Sequence, residues 1–509
     1  MTVFGEKIKF SEGGLLKRFG LDGFPWVVAS LAYLISYSWF FVVKDSLWVD
    51  DWYLFLESAD GYTSDDIHKN LGLAPWLKTQ DIIFHWIGPS FFRLLTFALF
   101  FASAICFFGI IKKLKIFSSY ELRVLTLLFL LLPFNSSRIA IMVFHYTSAY
   151  FYFFLAWRLL VSVKSNQVKV FCTLLFFVSF QMHSLLVFFV FPYLHLLYMS
   201  NVKTTFDLIN WLKKIGWIAL CPIVFWLLRL SFWPTSVNYQ DVNFVTLRRS
   251  SHLLLFLVVI CLLIHIFRKQ LILASLKYYS VSVLGLICIV VALIPYVIGG
   301  NLSGGVGIFS DYGVNFLGRA NWEDRHLTLQ PLGFALFVFG LISFMTSRVP
   351  RVRTIVLNGI LAISVVFNFS FGLEYIIDNA KQEQIIDSLK VVGQINDQQD
   401  YIFIDRSVNL NVRARTFRDR DWLGLIGSAY SFKFADGVTV ERSCQTRQGT
   451  RLVLIDGPIT HWLVVKNWIR SSDAGFVVQI FDKPVICKPE MVQGRPSEQK
   501  VPILLYFFK

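Results

Sequence analysis

Pro25-Trp-Val-Val-Ala-Ser-Leu-Ala-Tyr-Leu-Ile-Ser-Tyr-Ser-Trp-Phe-Phe-Val-Val43 is an uncharged run, and the chain continues Lys44-Asp-Ser-Leu-Trp-Val-Asp50-Asp51-Trp52-Tyr53. About 20 mostly apolar residues suffice to cross the hydrocarbon core of a bilayer as a helix. The flank ahead of the run is basic (Lys7, Lys9, Lys17, Arg18), and no small-residue cleavage site follows it. The run therefore reads as an uncleaved signal anchor. Carboxylates beside hydrocarbon are costly, about 2.5–3.5 kcal/mol for one buried Asp on insertion scales. An acid pair there, flanked by Trp48, Trp52 and Tyr53, points to chemistry at the membrane surface.

Working outward, the rest of the chain repeats the apolar theme. Of 509 residues, 55% are hydrophobic and 16% charged, where soluble domains carry about 25% charge. The expected fold is a polytopic α-helical membrane protein. About eleven spans are expected, near 25–43, 91–111, 117–134, 141–162, 168–182, 184–199, 214–232, 251–267, 278–298, 329–346 and 354–373. The fifth and sixth are short, so 168–199 also reads as broken or re-entrant segments.

Alternate loops segregate charge. One side collects Lys112, Lys113 and Lys115, then Lys164 and Lys169, Lys203, Lys213 and Lys214, Arg268, Lys269 and Lys277, and Arg348, Arg351 and Arg353. Short basic loops mark the cytoplasmic side. Asp45, Asp50, Asp51, Glu57, Asp65, Asp66, Asp81, Asp311, Glu323 and Asp324 fall on the other side. The net charge of +15 is thereby accounted for without a nucleic-acid partner. The expected topology has the N-terminus inside and everything after about residue 374 outside.

Residues 1–373 thus form the expected transmembrane module, with outer loops near 44–90 and 299–328. Residues 374–509 change character and read as a soluble α/β domain outside. Ile385, Ile386, Leu389, Val392 and Ile395 recur at helical spacing. Stretches 401–405, 452–455 and 477–481 read as short buried strands, with 502–508 as a further candidate. Cys106, Cys172, Cys221, Cys261 and Cys288 lie in expected spans, where Cys behaves as a small hydrophobe. Cys444 and Cys487 stand in the tail, where a disulfide and two independent thiols are both open.

The outer loops carry the candidate chemistry. The first holds the acid pair, Glu57 and many aromatics suited to an interface. The second is Gly-rich and then reads Gly318-Arg-Ala-Asn-Trp-Glu-Asp-Arg-His326. Guanidinium groups grip phosphate oxygens in bidentate fashion, so Arg319 and Arg325, with His326, are candidates for an anion. Pairing with Glu323 or Asp324 is the simpler role for those arginines. Arg93, Arg138, His145 and His183 stand at outer helix ends, each lining a cavity or serving as an ordinary interfacial residue. Arg158 and Arg229 fall near span ends, where snorkelling suffices. There is no Walker P-loop and no HExxH spacing.

A signal-anchor helix, an acidic pair opening a long first outer loop (Val49-Asp50-Asp51-Trp52), many spans and a soluble tail outside resemble the GT-C superfamily of membrane glycosyltransferases. The resemblance covers the whole architecture, while its motif is short. It implies a bacterial inner-membrane enzyme that moves a sugar from a polyprenyl-phosphate donor to a periplasmic cell-envelope glycan such as lipopolysaccharide O-antigen. Asp50 would be the base and Asp51 would orient the acceptor or help hold a divalent cation, or the reverse order would hold. Arg319, Arg325, His326 and Arg138 would take the donor phosphate. Trp52, Glu57, His145 and His183 would border the acceptor. Magnesium or manganese is the candidate cofactor, and Asp50, Asp51 and Glu57 alone do not define its site. Competing expectations are a polymerase or ligase of lipid-linked glycans, which needs no acid pair after the first helix, and a lipid-linked sugar transporter, which places charge within spans.

Overall fold

The computed structural model describes residues 22–43, 45–48, 51–52, 72–77, 79, 83, 87–163, 165–200, 204–234, 259, 262, 276–298, 309–310, 313–314, 327–392, 401–412, 415, 417, 419–430, 451–458, 463–464 and 476–481. The chain is mostly helical. In order come α1 (Trp26–Tyr37), α2 (Pro89–Lys113), α3 (Ser119–Leu131), α4 (Val143–Ser162), α5 (Asn166–Ser179), α6 (Leu185–Phe188), α7 (Val190–Met199), α8 (Thr205–Ala219), α9 (Cys221–Phe232) and α10 (Leu276–Ile298). A two-residue ribbon of β1 (Phe309–Ser310) and β2 (Gly313–Val314) follows, then α11 (Gln330–Met345), α12 (Pro350–Val392), β3 (Tyr401–Asp405), α13 (Asp419–Tyr430), β4 (Arg451–Asp456) and β5 (Val477–Phe481).

Helices occupy the expected apolar stretches, except that 251–267 lies almost wholly outside the described residues. Among the described residues, four helices are long and apolar enough to cross a membrane: Pro89–Lys113, Ile215–Phe232, Leu276–Tyr296 and Pro350–Val391. Others are shorter. The 14 residues of α5 reach about 21 Å at 1.5 Å per residue, less than the ~30 Å core. A tight turn at Phe180–Ser184 then leads into α6 and α7, so this pair is the short, broken arrangement allowed for above.

One end of the bundle gathers basic residues. Ser118 caps α3 through a reciprocal box, its hydroxyl accepting from Glu121 N at 3.3 Å while Glu121 Oε2 accepts from Ser118 N at 2.7 Å. The same Glu121 accepts from Lys277 Nζ at 2.7 Å and Tyr278 OH at 2.6 Å, and Arg353 donates to Tyr278 OH at 2.6 Å. The first turns of α3, α10 and α12 are thus clamped together. Lys112 pairs with Asp22 at 2.6 Å, and Arg123 donates to Gly23 O, which brings the start of α1 to this end as well. Lys112, Lys277 and Arg353, assigned by sequence to one side, share one end in space.

Close packing through small residues joins α10 to α11. A Cβ on Gly333 would lie 2.7 Å from Ile289 Cγ1, and one on Gly340 would lie 2.5 Å from Ser282 N; one on Gly285 would overlap the Phe337 backbone. Only residues without side-chain bulk let backbones approach so closely, the usual device where helices meet in lipid. A similar gap holds Arg158 of α4: its Nε would be 2.8 Å from a Cβ at Gly109 of α2, and Nη1 donates to Ile105 O at 3.2 Å. Arg158 and Arg229 are 9% and 8% exposed. Both are therefore turned into the protein and do not snorkel, because a glycine gap and aromatic rings give their stems better packing than lipid does.

Helix α12 has 43 residues and extends about 65 Å at 1.5 Å per residue. It continues unbroken through 373–374, so no linker separates membrane module from tail. Trp39 Nε1 donates to its Asn368 O and Asn368 Nδ2 donates to Leu131 O at 2.7 Å, tying α12 to the far end of α3. Beyond that point α12 buries Ile385 and Leu389 against α13 and the sheet. The sheet order is β3-β4-β5, with β3 and β4 parallel and β4 and β5 antiparallel. Strands stand where 401–405, 452–455 and 477–481 were expected. Lys381, fully buried on α12, donates to Asp405 at the end of β3, to Ser407 O at 3.2 Å and to Asn411 Oδ1 at 2.7 Å. Arg415 and Asp421 pair in bidentate fashion at 2.8 and 3.1 Å. Burial opposes the Arg415 charge, but Asp421 and Asp378 more than offset it and raise its pKa above the ordinary value.

Candidate functional site

The end opposite the basic clamp is organised by Asp51. After α1 the chain makes a one-turn 3-10 segment, Ser38–Phe41, and reaches a turn closed by Asp51 N on Trp48 O at 3.0 Å. Asp51 is fully buried. Its Oδ1 accepts from the backbone N–H of Ile141 at 2.9 Å and of Met142 at 3.2 Å. Its Oδ2 accepts from Trp48 N at 3.3 Å and from Arg93 Nη2 at 3.4 Å. Four donors on two oxygens fill the usual capacity of a carboxylate. The two peptide groups lead into α4, whose partial positive end also favours an anion.

Arg93, at the start of α2, completes this knot. It is 0% exposed. Nε donates to Ile139 O at 2.8 Å, Nη1 to Val43 O at 3.1 Å and Nη2 to Ser46 O. Its plane lies over Trp48, 4.6 Å from the ring centroid. Sequence reading noted Arg93 only as a polar helix end; its position one turn inside an apolar helix was the available signal. Ser90 bonds Asp45, and Ser46 bonds Asn379 of α12. Thus α2, α12 and the 139–142 turn are all fixed on the segment that carries the acid pair.

Arg138 stands on the same turn, three residues before Ile141. It lies in a one-turn 3-10 segment, Ser136–Ile139, and is 3% exposed. Nη1 donates to Tyr37 OH at 3.2 Å, and the guanidinium sits 3.5 Å from the Phe100 ring centroid and 5.7 Å from that of Tyr37. Nε has no hydrogen-bond partner. Among the described residues no carboxylate pairs with it. Tyr150 OH and both polar atoms of the Gln330 side chain are also buried without partners. Asn135 on this turn bonds Thr328, two residues ahead of Gln330. An uncompensated buried guanidinium surrounded by rings and neutral groups is suited to receive an anion.

The remaining expected residues divide. His145 opens α4, and its carbonyl accepts from Gln181 Nε2 at 3.1 Å, while Gln181 Oε1 accepts from Trp76 Nε1 at 2.8 Å. His183 follows two residues later, with Nε2 buried and unpartnered. Gln181, bonded in turn by Trp76, therefore ties the start of α4 to the turn that carries His183. Trp52 is 4% exposed and packs on Gly424 of α13, where a Cβ would strike its ring. That contact sets Trp52 in a core shared by the segment after α1, α2, the 139–142 turn and α13. Asp50, Glu57, Arg319, Arg325, His326, Cys444 and Cys487 lie outside the described residues. Cys106, Cys172, Cys221 and Cys288 are buried free thiols, as their placement in spans implies. No group of three His, Cys, Asp or Glu side chains among the described residues converges as a metal site. Comparison with family models, with curated proteins and with solved structures found no match for this chain.

Proposed function

We propose that this chain is a multi-pass membrane glycosyltransferase that moves a sugar from a polyprenyl phosphate to a cell-envelope glycan. The observation that carries the reading is Arg138: a buried guanidinium without a carboxylate partner among the described residues, held on the same turn that Asp51 anchors. In the proposed topology about eleven segments cross or enter the inner membrane. The acid pair, the 135–148 turn and the α/β tail then face the periplasm.

The proposed division of labour follows from the hydrogen bonds. Asp51 is committed to Ile141, Met142, Trp48 and Arg93, so it positions the segment. Asp50, its neighbour in sequence, is the general base and takes the proton of the acceptor hydroxyl. The hydroxyl oxygen bonds the anomeric carbon as the bond from that carbon to the phosphate oxygen breaks. The departing electron pair rests on the phosphate, whose charge Arg138 stabilises, with Arg319, Arg325 and His326 as further candidates. His145 and Glu57 border the acceptor, while Trp52 packs on Gly424 of α13. A divalent cation near Asp50 and Glu57 remains part of the proposal, with no role in the steps above.

The test uses purified chain with a radiolabelled prenyl-phosphate sugar and glycan acceptor. Asp50→Asn should abolish transfer while elution and thermal unfolding stay as in wild type. Full activity in Asp50→Asn would overturn the assignment. A lipid-linked sugar transporter is the second reading, favoured by the charges of Arg158 and Arg229 inside helices. It requires donor translocation across sealed vesicles without transfer.

A further inference from the structure

Some distance along the same end of the bundle, a second buried guanidinium has no counter-charge among the described residues. Phe225 and Arg229 are four residues apart on α9 and so share one helical face. Phe225 is fully buried and that face meets α5: its ring centroid lies 5.2 Å from Phe177 and 5.7 Å from Phe180. Arg229 is 8% exposed and lies 5.1 Å from the Trp226 ring centroid. Its Nε has no hydrogen-bond partner, and no carboxylate pairs with it among the described residues.

Two more nitrogens in the same condition face this spot. The His183 ring is 6.2 Å from Phe225 and within electrostatic range of Arg229. Trp233 is 6.3 Å from Phe225 and 6.2 Å from Trp76, which comes from the first outer loop. His183 Nε2 and Trp233 Nε1 are both buried and unpartnered. Guanidinium and indole offer N–H donors only, and imidazole adds a third donor as its Nε2–H tautomer. The walls are aromatic. Unpartnered N–H groups with rings around them, near one end of a helix long and apolar enough to cross a membrane, match an oxyanion carried by an apolar molecule.

We infer that Arg229, His183 and Trp233 form a second anion site, separate from Arg138, that takes the phosphate group of a lipid in the outer leaflet. The inference goes beyond sugar transfer and does not depend on it, since occupancy is read as binding. Full-length chain in zwitterionic detergent, carrying Arg138→Met so that the other candidate site is removed, is titrated separately with farnesyl phosphate and with phosphatidylglycerol. Bound lipid is counted by native mass spectrometry.

Adding Arg229→Met should weaken binding at least tenfold, and adding His183→Leu about threefold, with gel-filtration and circular-dichroism profiles unchanged. Loss for farnesyl phosphate alone identifies a lipid-linked substrate, and loss for phosphatidylglycerol as well identifies a membrane phospholipid; both outcomes support the site. Unchanged affinity for both ligands in Arg229→Met and His183→Leu overturns it. If Arg229→Met does not fold, Arg229→Lys takes its place, because it keeps the charge but loses the fork of donors. Unchanged affinity in Arg229→Lys and His183→Leu then overturns the inference equally.

Discussion

Asp51 binds two peptide N–H groups of the 139–142 turn, the Trp48 amide and Arg93. Removing one member of a buried, hydrogen-bonded ion pair costs about 3–5 kcal/mol, because its partner stays behind uncompensated. Asp51→Ala is therefore expected to lower the unfolding free energy by about 3–5 kcal/mol, read by denaturant titration in detergent. Asp50→Asn should leave that titration unchanged while removing activity. Equal destabilisation by both would erase the distinction between positioning and chemistry. Arg138 gives the complementary case, having only neutral partners among the described residues. Arg138→Met is expected to raise KM for the lipid-phosphate donor at least tenfold with little loss of stability, since methionine retains the packing on Phe100 and removes a lone charge.

Among elements, the α10–α11 pair depends on glycine. A Cβ at Gly285 meets the Phe337 backbone, which cannot rotate away as a side chain can. Gly285→Ala should force the helices apart and cost about 1–3 kcal/mol, the range for overpacking. Gly359, where an added Cβ would meet nothing within 4 Å, is the control: Gly359→Ala should be neutral or stabilising. The comparison is made by thermal unfolding of both variants. The two glycines look alike in an apolar sequence, and only the approach of α11 tells them apart.

For the whole molecule, α12 is the shared axis. Its first turn joins the Glu121 clamp through Arg353, its middle holds Trp39 and Leu131, and its last turns carry Lys381 into the tail. Trp52 on Gly424 adds a second tie between the acid-pair segment and α13. Gly424→Val should push Trp52 out and loosen the tail, seen as faster proteolysis between the membrane module and residues after 392. Lys381→Met should do so more strongly, leaving buried Asp405 without its cation at a cost of about 3–5 kcal/mol. Unchanged proteolysis in both variants would show that the tail is held by α12 alone.

Hydropathy was enough to mark the described helices, because long apolar runs satisfy their backbone most readily as helix. Lys112, Lys277 and Arg353 were assigned to one end by sequence and meet there, and β-branched and aromatic runs marked β3, β4 and β5. The roles within the acid pair were not legible, since two adjacent aspartates have the same chemistry until a fold gives one of them four donors. Arg158 and Arg229 were read as snorkelling because a helix position states depth and not the direction in which a side chain finds room. Gly109 and the ring cluster around Phe225 supplied that room, and both are contacts between segments far apart in the chain. The sequence by itself determined which stretches form apolar helices and which end is basic. Only the tertiary structure decided which charges are matched and which stand alone, because pairing depends on distances that no single segment contains.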